Sequence, residues 1–208
     1  MANTVTETGK KNGHTTEAEP KKKGSMQEEQ EGTPSYLQKF FLEQVKDMYY
    51  AEQELLKVLP EMKNAATTEE LEDAIEEHTQ QTKRHIRRLE KIFHMIGQKP
   101  EGKKCEAMDG LIRESRTILR ETEENTMTRD AALIIAAQKI EHYEIASYGG
   151  LVALAITMGM ERAADILDKT LAEEEDTDQL LTDIAETYIN VGAEHEGSYS
   201  WDKKIWVV

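Results

Sequence analysis

Two long stretches of helical periodicity, each broken once by a tight turn, flank a connection of about 30 residues, and few folds accommodate that arrangement. In the first stretch Leu37, Phe41, Gln44, Met48, Glu52, Leu55 and Leu59 recur at three- and four-residue steps, one face of a helix. Pro60 is expected to kink or end it. A second helix is expected after Thr67 or Thr68, with Glu70 completing a capping box on Thr67. Its inner stripe reads Leu71, Ile75, His78, Thr82, His85 or Ile86, Leu89, Phe93 and Ile96, and Gly97 stands where a C-terminal cap belongs.

The connection opens with the turn-rich run QKPEGKK and contains a short helix over Glu106 to Glu121. After Thr128 the segment AALIIAAQKIEHYEIASYGGLVALAITMG is apolar on nearly every side, so a helix there must be buried on several faces. Gly159 breaks it. A fourth helix then carries Ala164, Leu167, Leu171, Glu174 or Glu175, Asp178, Leu181, Ala185 and Tyr188. Tight joints make each pair an antiparallel hairpin, and the long link can run the length of a bundle. Two hairpins joined by one long crossover form the ferritin-like four-helix bundle, an all-α fold.

Each inner stripe is interrupted by side chains that dislike a core. Glu52 interrupts the first helix, His78 the second (with Thr82 and His85 further on), Glu141, His142 and Glu144 the third, and Glu174, Glu175 and Asp178 the fourth. A carboxylate facing the core costs several kcal/mol unless it is paired or bound to a cation. Counting from turns centred near residue 65 and Gly159, Glu52 and His78 each lie about 13 residues out, Glu144 lies opposite Glu175, and Glu141 opposite Asp178; at 1.5 Å per residue these depths agree at roughly 20–28 Å. Carboxylates and imidazoles converging at mid-height suit one or two iron or manganese ions. Taken singly, the pieces have plainer readings: Glu141 and Glu144 at a solvated edge beside Lys139, His78 as a satisfied core histidine, and His85 sharing the surface of Lys83, Arg84, Arg87 and Arg88. Of Glu173, Glu174 and Glu175 only one or two can point inward. Agreement in depth favours Glu52, His78, Glu141, Glu144, Glu175 and Asp178 as the ligands, with His85 or His142 behind them or as alternatives.

Composition narrows the function classes. With 41 Asp and Glu against 26 Lys and Arg, the formal charge of −15 opposes general nucleic-acid binding and docking on an anionic membrane. No apolar run approaches a bilayer span, the first residues show no secretory h-region, and the one cysteine, Cys105, fits a reducing compartment. A cytoplasmic protein is expected. Residues 1–35 read as a disordered polar tail, 36–192 as the bundle, and 193–208 as a C-terminal tail.

The run RDAALIIAAQKIEHYEIASYGGL, together with DMYYAEQELLKVLP, CEAMDGL and TLAEEEDTDQLLTDIA, resembles the YciE/YciF stress-protein family, over about residues 36–190. The resemblance implies a ferritin-like bundle, a homodimer and a link to osmotic or general stress, and no established reaction. The wider superfamily places Glu on helix one, Glu-x-x-His on helix two, Glu on helix three and Glu-x-x-His on helix four. Glu52 matches the first position and Glu141 or Glu144 the third. Thr82 stands where helix two would have Glu before His85, and Asp178 where helix four would have His after Glu175. That departure suits one tightly held ion or two unequally held ones. Redox chemistry with oxygen or peroxide, or iron handling, is one expected role. A non-enzymatic interaction module with a buried polar network is the other.

Overall fold

The structure, a computed structural model, describes residues 33–196; the two expected tails fall almost wholly outside this range. Six α-helices make up the described chain: α1 (Tyr36–Ala65), α2 (Glu69–Met95), α3 (Glu106–Glu121), α4 (Met127–Thr157), α5 (Glu161–Ile184) and, after a single π turn at Ala185–Ile189, α6 (Asn190–His195). α1 pairs with α2 and α4 with α5, while α2 packs on α5 and α1 on α4. Four long helices thus enclose one core, and α3 lies in the crossover against α1 and α4. This is the ferritin-like bundle expected from the loop lengths.

Local chemistry sets the helix ends. Ser35 caps α1 in a capping box with Gln38. Gly97 and Gly159 adopt left-handed backbone at φ 67° and 69°, where a side chain would be strained, and close α2 and α4. In each, an amide reaches back five residues, Gln98 to Phe93 at 2.8 Å and Met160 to Ala155 at 2.9 Å. Pro60 does not end α1. It faces solvent, where the carbonyl it leaves unpaired can be hydrated, and Met62 beyond it is buried, so packing holds the last turn.

The capping box expected at Thr67 is absent, and α4 supplies the cap instead. The buried Asp130 carboxylate accepts from the Thr67 and Thr68 amides at 2.7 and 2.9 Å and from the Thr68 hydroxyl at 2.7 Å. One carboxylate therefore ties the first hairpin's turn to the start of the second hairpin. Asp130→Ala is expected to lower stability by on the order of 3 kcal/mol, since three donors, two of them buried, lose their acceptor. Urea denaturation reads this as a lower midpoint, and an unchanged midpoint would assign the tie no energetic weight.

α4 is buried against α1, α3 and α5, as its all-round apolar character requires. Gly149 and Gly150 do not serve a close helix approach, because a Cβ at either would meet nothing within 4 Å. Gly150→Ala is therefore expected to raise stability by about 0.5–1 kcal/mol through helix propensity alone. A lower urea midpoint would contradict this.

Candidate metal centre

Helical spacing carries six ionisable side chains into the middle of the bundle. On α2, Leu71, His78, His85 and Ile92 follow at seven-residue steps and are all buried, so both imidazoles lie on the core stripe. On α5 the same spacing links Leu167, Glu174 and Leu181, again all buried. α1 contributes Glu52, and α4 contributes Glu141 and Glu144, one turn apart. Glu52, His85, Glu144 and Glu174 are completely removed from solvent, with Glu141 and His78 nearly so.

These groups form two clusters that share one residue. In the first, His78, Glu141, Glu144 and Glu174 place candidate ligand atoms within 4.8 Å of one another; in the second, Glu52, His85 and Glu174 do the same. An ion held at about 2.1 Å leaves its ligands roughly 3–4 Å apart, so modest side-chain adjustment suffices. His78 Nε2 lies 3.4 Å from Glu141 Oε1. His85 Nδ1 lies 2.9 Å from Glu174 Oε1 and 3.4 Å from Glu52 Oε1. Glu174 stands between the two positions.

The electrostatics are unfavourable without a cation. Burial, reinforced by the neighbouring carboxylates, pushes Glu141 and Glu144 well above the usual carboxylate range. Burial also raises Glu52, against the pull of His85. Burial and the nearby His85 hold His78 down at about 4, so its imidazole is neutral at physiological pH. For His85, burial opposes the charge, but Glu52 and Glu174 overcome it and bring the ring to about 11.

Hydrogen bonding does not relieve this crowding. Among the described residues, the buried side-chain nitrogens and oxygens left without a hydrogen-bond partner all belong to the six clustered residues or to Asp178. Both carboxylate oxygens of Glu144 and both of Glu174 are among them. Native interiors satisfy nearly all such atoms. Gathering so many lone pairs around two adjoining points is what a cation-binding site requires, and these His and Glu groups could hold a metal ion.

The six expected ligands fare differently. Glu52, His78, Glu141 and Glu144 are brought together. Glu175 is not: it is exposed, and Glu174 takes the inward place. Successive residues differ by about 100° around a helix, so only one of Glu173, Glu174 and Glu175 can share the face of Leu167 and Leu181. Asp178 sits at the rim, with its side chain 23% exposed, 3.2 Å from Nδ1 of the exposed His142. His85, given only a supporting place, lies at the centre rather than on the basic surface of its neighbours. Thr82 is buried but spends its hydroxyl on the His78 carbonyl at 3.0 Å. The second carboxylate of α4 offsets the one that Thr82 lacks. The seven-residue series through His85 and through Glu174 were present in the sequence as the signal for both residues.

Tyrosines border the cluster. Tyr148, fully buried, donates to Glu52 and meets the His85 ring edge-on. Tyr143 donates to Asp47 at 2.7 Å and lies 3.0 Å from the Cys105 sulfur.

Comparison with known proteins places this geometry in a family. Protein YciF of Escherichia coli K12 is 42% identical over 157 residues, which cover 75% of this chain and 94% of that protein. The crystal structure of the E. coli stress protein YciF superposes with a TM-score of 0.71 at 40% identity, covering 76% of this chain and 99% of the other. YcfI from Rhodopseudomonas palustris superposes with a TM-score of 0.69 at 37% identity, over 71% and 94% of the two chains. A protein from Xanthomonas campestris pv. campestris shares the fold at 20% identity, with a TM-score of 0.61 over 78% and 99% of the two chains. Residues 36–194 match the family model described as a domain of unknown function, DUF892, and the chain belongs to that YciF-like family.

Proposed function

We propose that the bundle holds one or two iron or manganese ions between α1, α2, α4 and α5, as the working part of a cytoplasmic, homodimeric stress protein. The observation that carries this reading is the convergence of unpartnered buried oxygens and nitrogens from Glu52, His78, His85, Glu141, Glu144 and Glu174. The ligands on this reading are these six, with Asp178 at the rim. Bound iron or manganese would supply one-electron chemistry toward oxygen or peroxide, or a place to hold iron.

The chain's own residues prepare the setting. Glu174 reaches both positions, and Glu141 and Glu144 give one of them the larger share of carboxylate oxygens. Tyr148 orients Glu52 through its hydroxyl. On the side of the Thr67 turn, the buried apolar residues Leu55, Leu59, Ile75, Ile140 and Leu181 wall the cluster. Similarity to a stress protein of E. coli supports the stress role. No helix among the described residues is long and apolar enough to cross a membrane, and the charge of −15 disfavours nucleic acid.

The opposing reading, a non-enzymatic interaction module with a hydrogen-bonded polar core, has Tyr148 on Glu52 and His85 beside Glu174 in its favour, but it leaves both oxygens of Glu144 and one of Glu141 without a partner. Anaerobic loading with Fe(II) or Mn(II), followed by desalting and elemental analysis, is expected to leave about one or two equivalents per chain. Less than about a tenth of an equivalent of either metal would refute the proposal.

A further inference from the structure

A neutral imidazole can present only one nitrogen to a cation, and the other then carries a proton that needs an acceptor. The two buried histidines solve this differently. His85 turns Nδ1 toward Glu52 and Glu174, and its Nε2 meets Glu173 Oε2 at 2.9 Å. Glu173 is itself gripped by Arg88, whose two terminal nitrogens lie 2.6 and 3.0 Å from its two oxygens. His78 does the reverse. Its Nε2 faces Glu141 at 3.4 Å without a partner, and its Nδ1 lies 3.3 Å from Gln81 Oε1, nearer than the 3.9 Å to Glu174 Oε2. Gln81 Oε1 also accepts from the Thr177 hydroxyl at 3.0 Å. Turning either ring over would set a carbon against its acceptor.

We propose that the two histidines join the centre through different ring nitrogens, Nδ1 of His85 and Nε2 of His78, and that Glu173 and Gln81 are the positioning residues that enforce the difference. The inference rests on the metal-binding reading and extends it to residues outside the ligand set. The two acceptors are chemically unlike. A carboxylate behind an imidazole makes it a stronger donor to a cation, and an amide does so far less. The position built from Glu52, His85 and Glu174 therefore has the more basic imidazole, and the position built from His78, Glu141, Glu144 and Glu174 has the greater share of carboxylate. The two positions are unequal by construction. α5 organises both, because Glu173 and Thr177 flank Glu174 on the same helix and each reaches a different residue of α2.

The test uses the full chain loaded with Zn(II), which is diamagnetic, and nitrogen-15 NMR of the histidine rings. His85 is expected to be metal-bound at Nδ1 with a protected Nε2 proton, and His78 at Nε2. In parallel, Co(II) is titrated anaerobically and its visible bands are followed. Glu173→Leu is expected to weaken one class of position about 10- to 100-fold, and Gln81→Leu the other class by a similar factor. Glu173→Gln, which keeps an acceptor but not the charge, should retain the His85 tautomer with a smaller loss. If a leucine variant does not fold, as circular dichroism would report, Glu173→Gln and Gln81→Glu carry the test. The same ring nitrogen bound in both histidines, or variants that weaken both classes equally or not at all, would overturn the inference and leave the metal reading standing. An unaltered chain that takes up neither Zn(II) nor Co(II) would remove both.

Discussion

Glu174→Ala is expected to retain neither Fe(II) nor Mn(II) at either position, with affinity falling by at least about 100-fold, beyond the range typical of an outer partner. Glu174 alone belongs to both clusters, and both of its oxygens are buried without a hydrogen bond. Its neighbour is the control. Glu175→Ala removes an exposed carboxylate and should leave the bound metal unchanged, although the two residues are adjacent and alike. Elemental analysis of the two variants after anaerobic loading decides the matter. Equal losses would mean that α5 is rotated from the register described above, and no loss in either would remove Glu174 from the centre. Glu141→Ala should fall between them, because Glu141 belongs to one cluster only.

The second large effect is a reversal of sign in the dependence of stability on pH. In the metal-free protein, burial raises Glu52, Glu141 and Glu144 above their ordinary value of 4.5. The folded state then keeps protons that the unfolded chain has already released. The stability from these groups is fully present below 4.5 and is lost as pH rises through the raised folded values. His85, raised from 6.5 to about 11, acts in the same direction, while His78, lowered from 6.5 to about 4, opposes it. The two histidines largely cancel between pH 5.5 and 7.5, and the carboxylates decide the sign. Metal-free protein is therefore expected to become more stable as pH falls from about 7.5 to 5.5. The metal-loaded protein should do the opposite, because protons compete with the cation for the same atoms. At pH 7.5, metal at about 1,000 times its dissociation constant is expected to add about 4 kcal/mol. Urea melts with chelator and with Mn(II), at both pH values, give all four numbers. Parallel pH trends in the two forms would show that the carboxylates are not protonated in the metal-free core.

Some of this was legible in the residues and some was not, and Glu174 and Glu175 mark the boundary. Counting residues from a turn estimates depth along a helix, which tolerates an error of one residue because the rise is only 1.5 Å. It does not estimate the direction in which a side chain points, since the same one-residue error turns that direction by about 100°. Depth therefore brought Glu52, His78, Glu141 and Glu144 together, while direction failed at Glu175. The apolar residues seven positions either side, Leu167 and Leu181, carried the missing information. His85 was obscured for a related reason. Lys83, Arg84, Arg87 and Arg88 surround it in sequence and suggest a basic surface, yet His85 is buried, and Arg88, one turn further on, serves it by holding Glu173. The cap on α2 shows a different limit. Asp130 lies more than sixty residues from Thr67, and nothing local to either residue announces the contact.

The four long helices, the short crossover helix, the two hairpins and the presence of carboxylates at mid-height followed from periodicity and loop length; the π turn at Ala185–Ile189 and the short α6 did not. Periodicity and loop length are one-dimensional quantities that a chain carries in its residue order. Tertiary structure decided which carboxylate faces inward, that Glu174 serves two positions, that Asp130 joins the hairpins, and which nitrogen each histidine presents. Each of these depends on the rotation of one helix relative to another, and packing across the whole core sets that rotation.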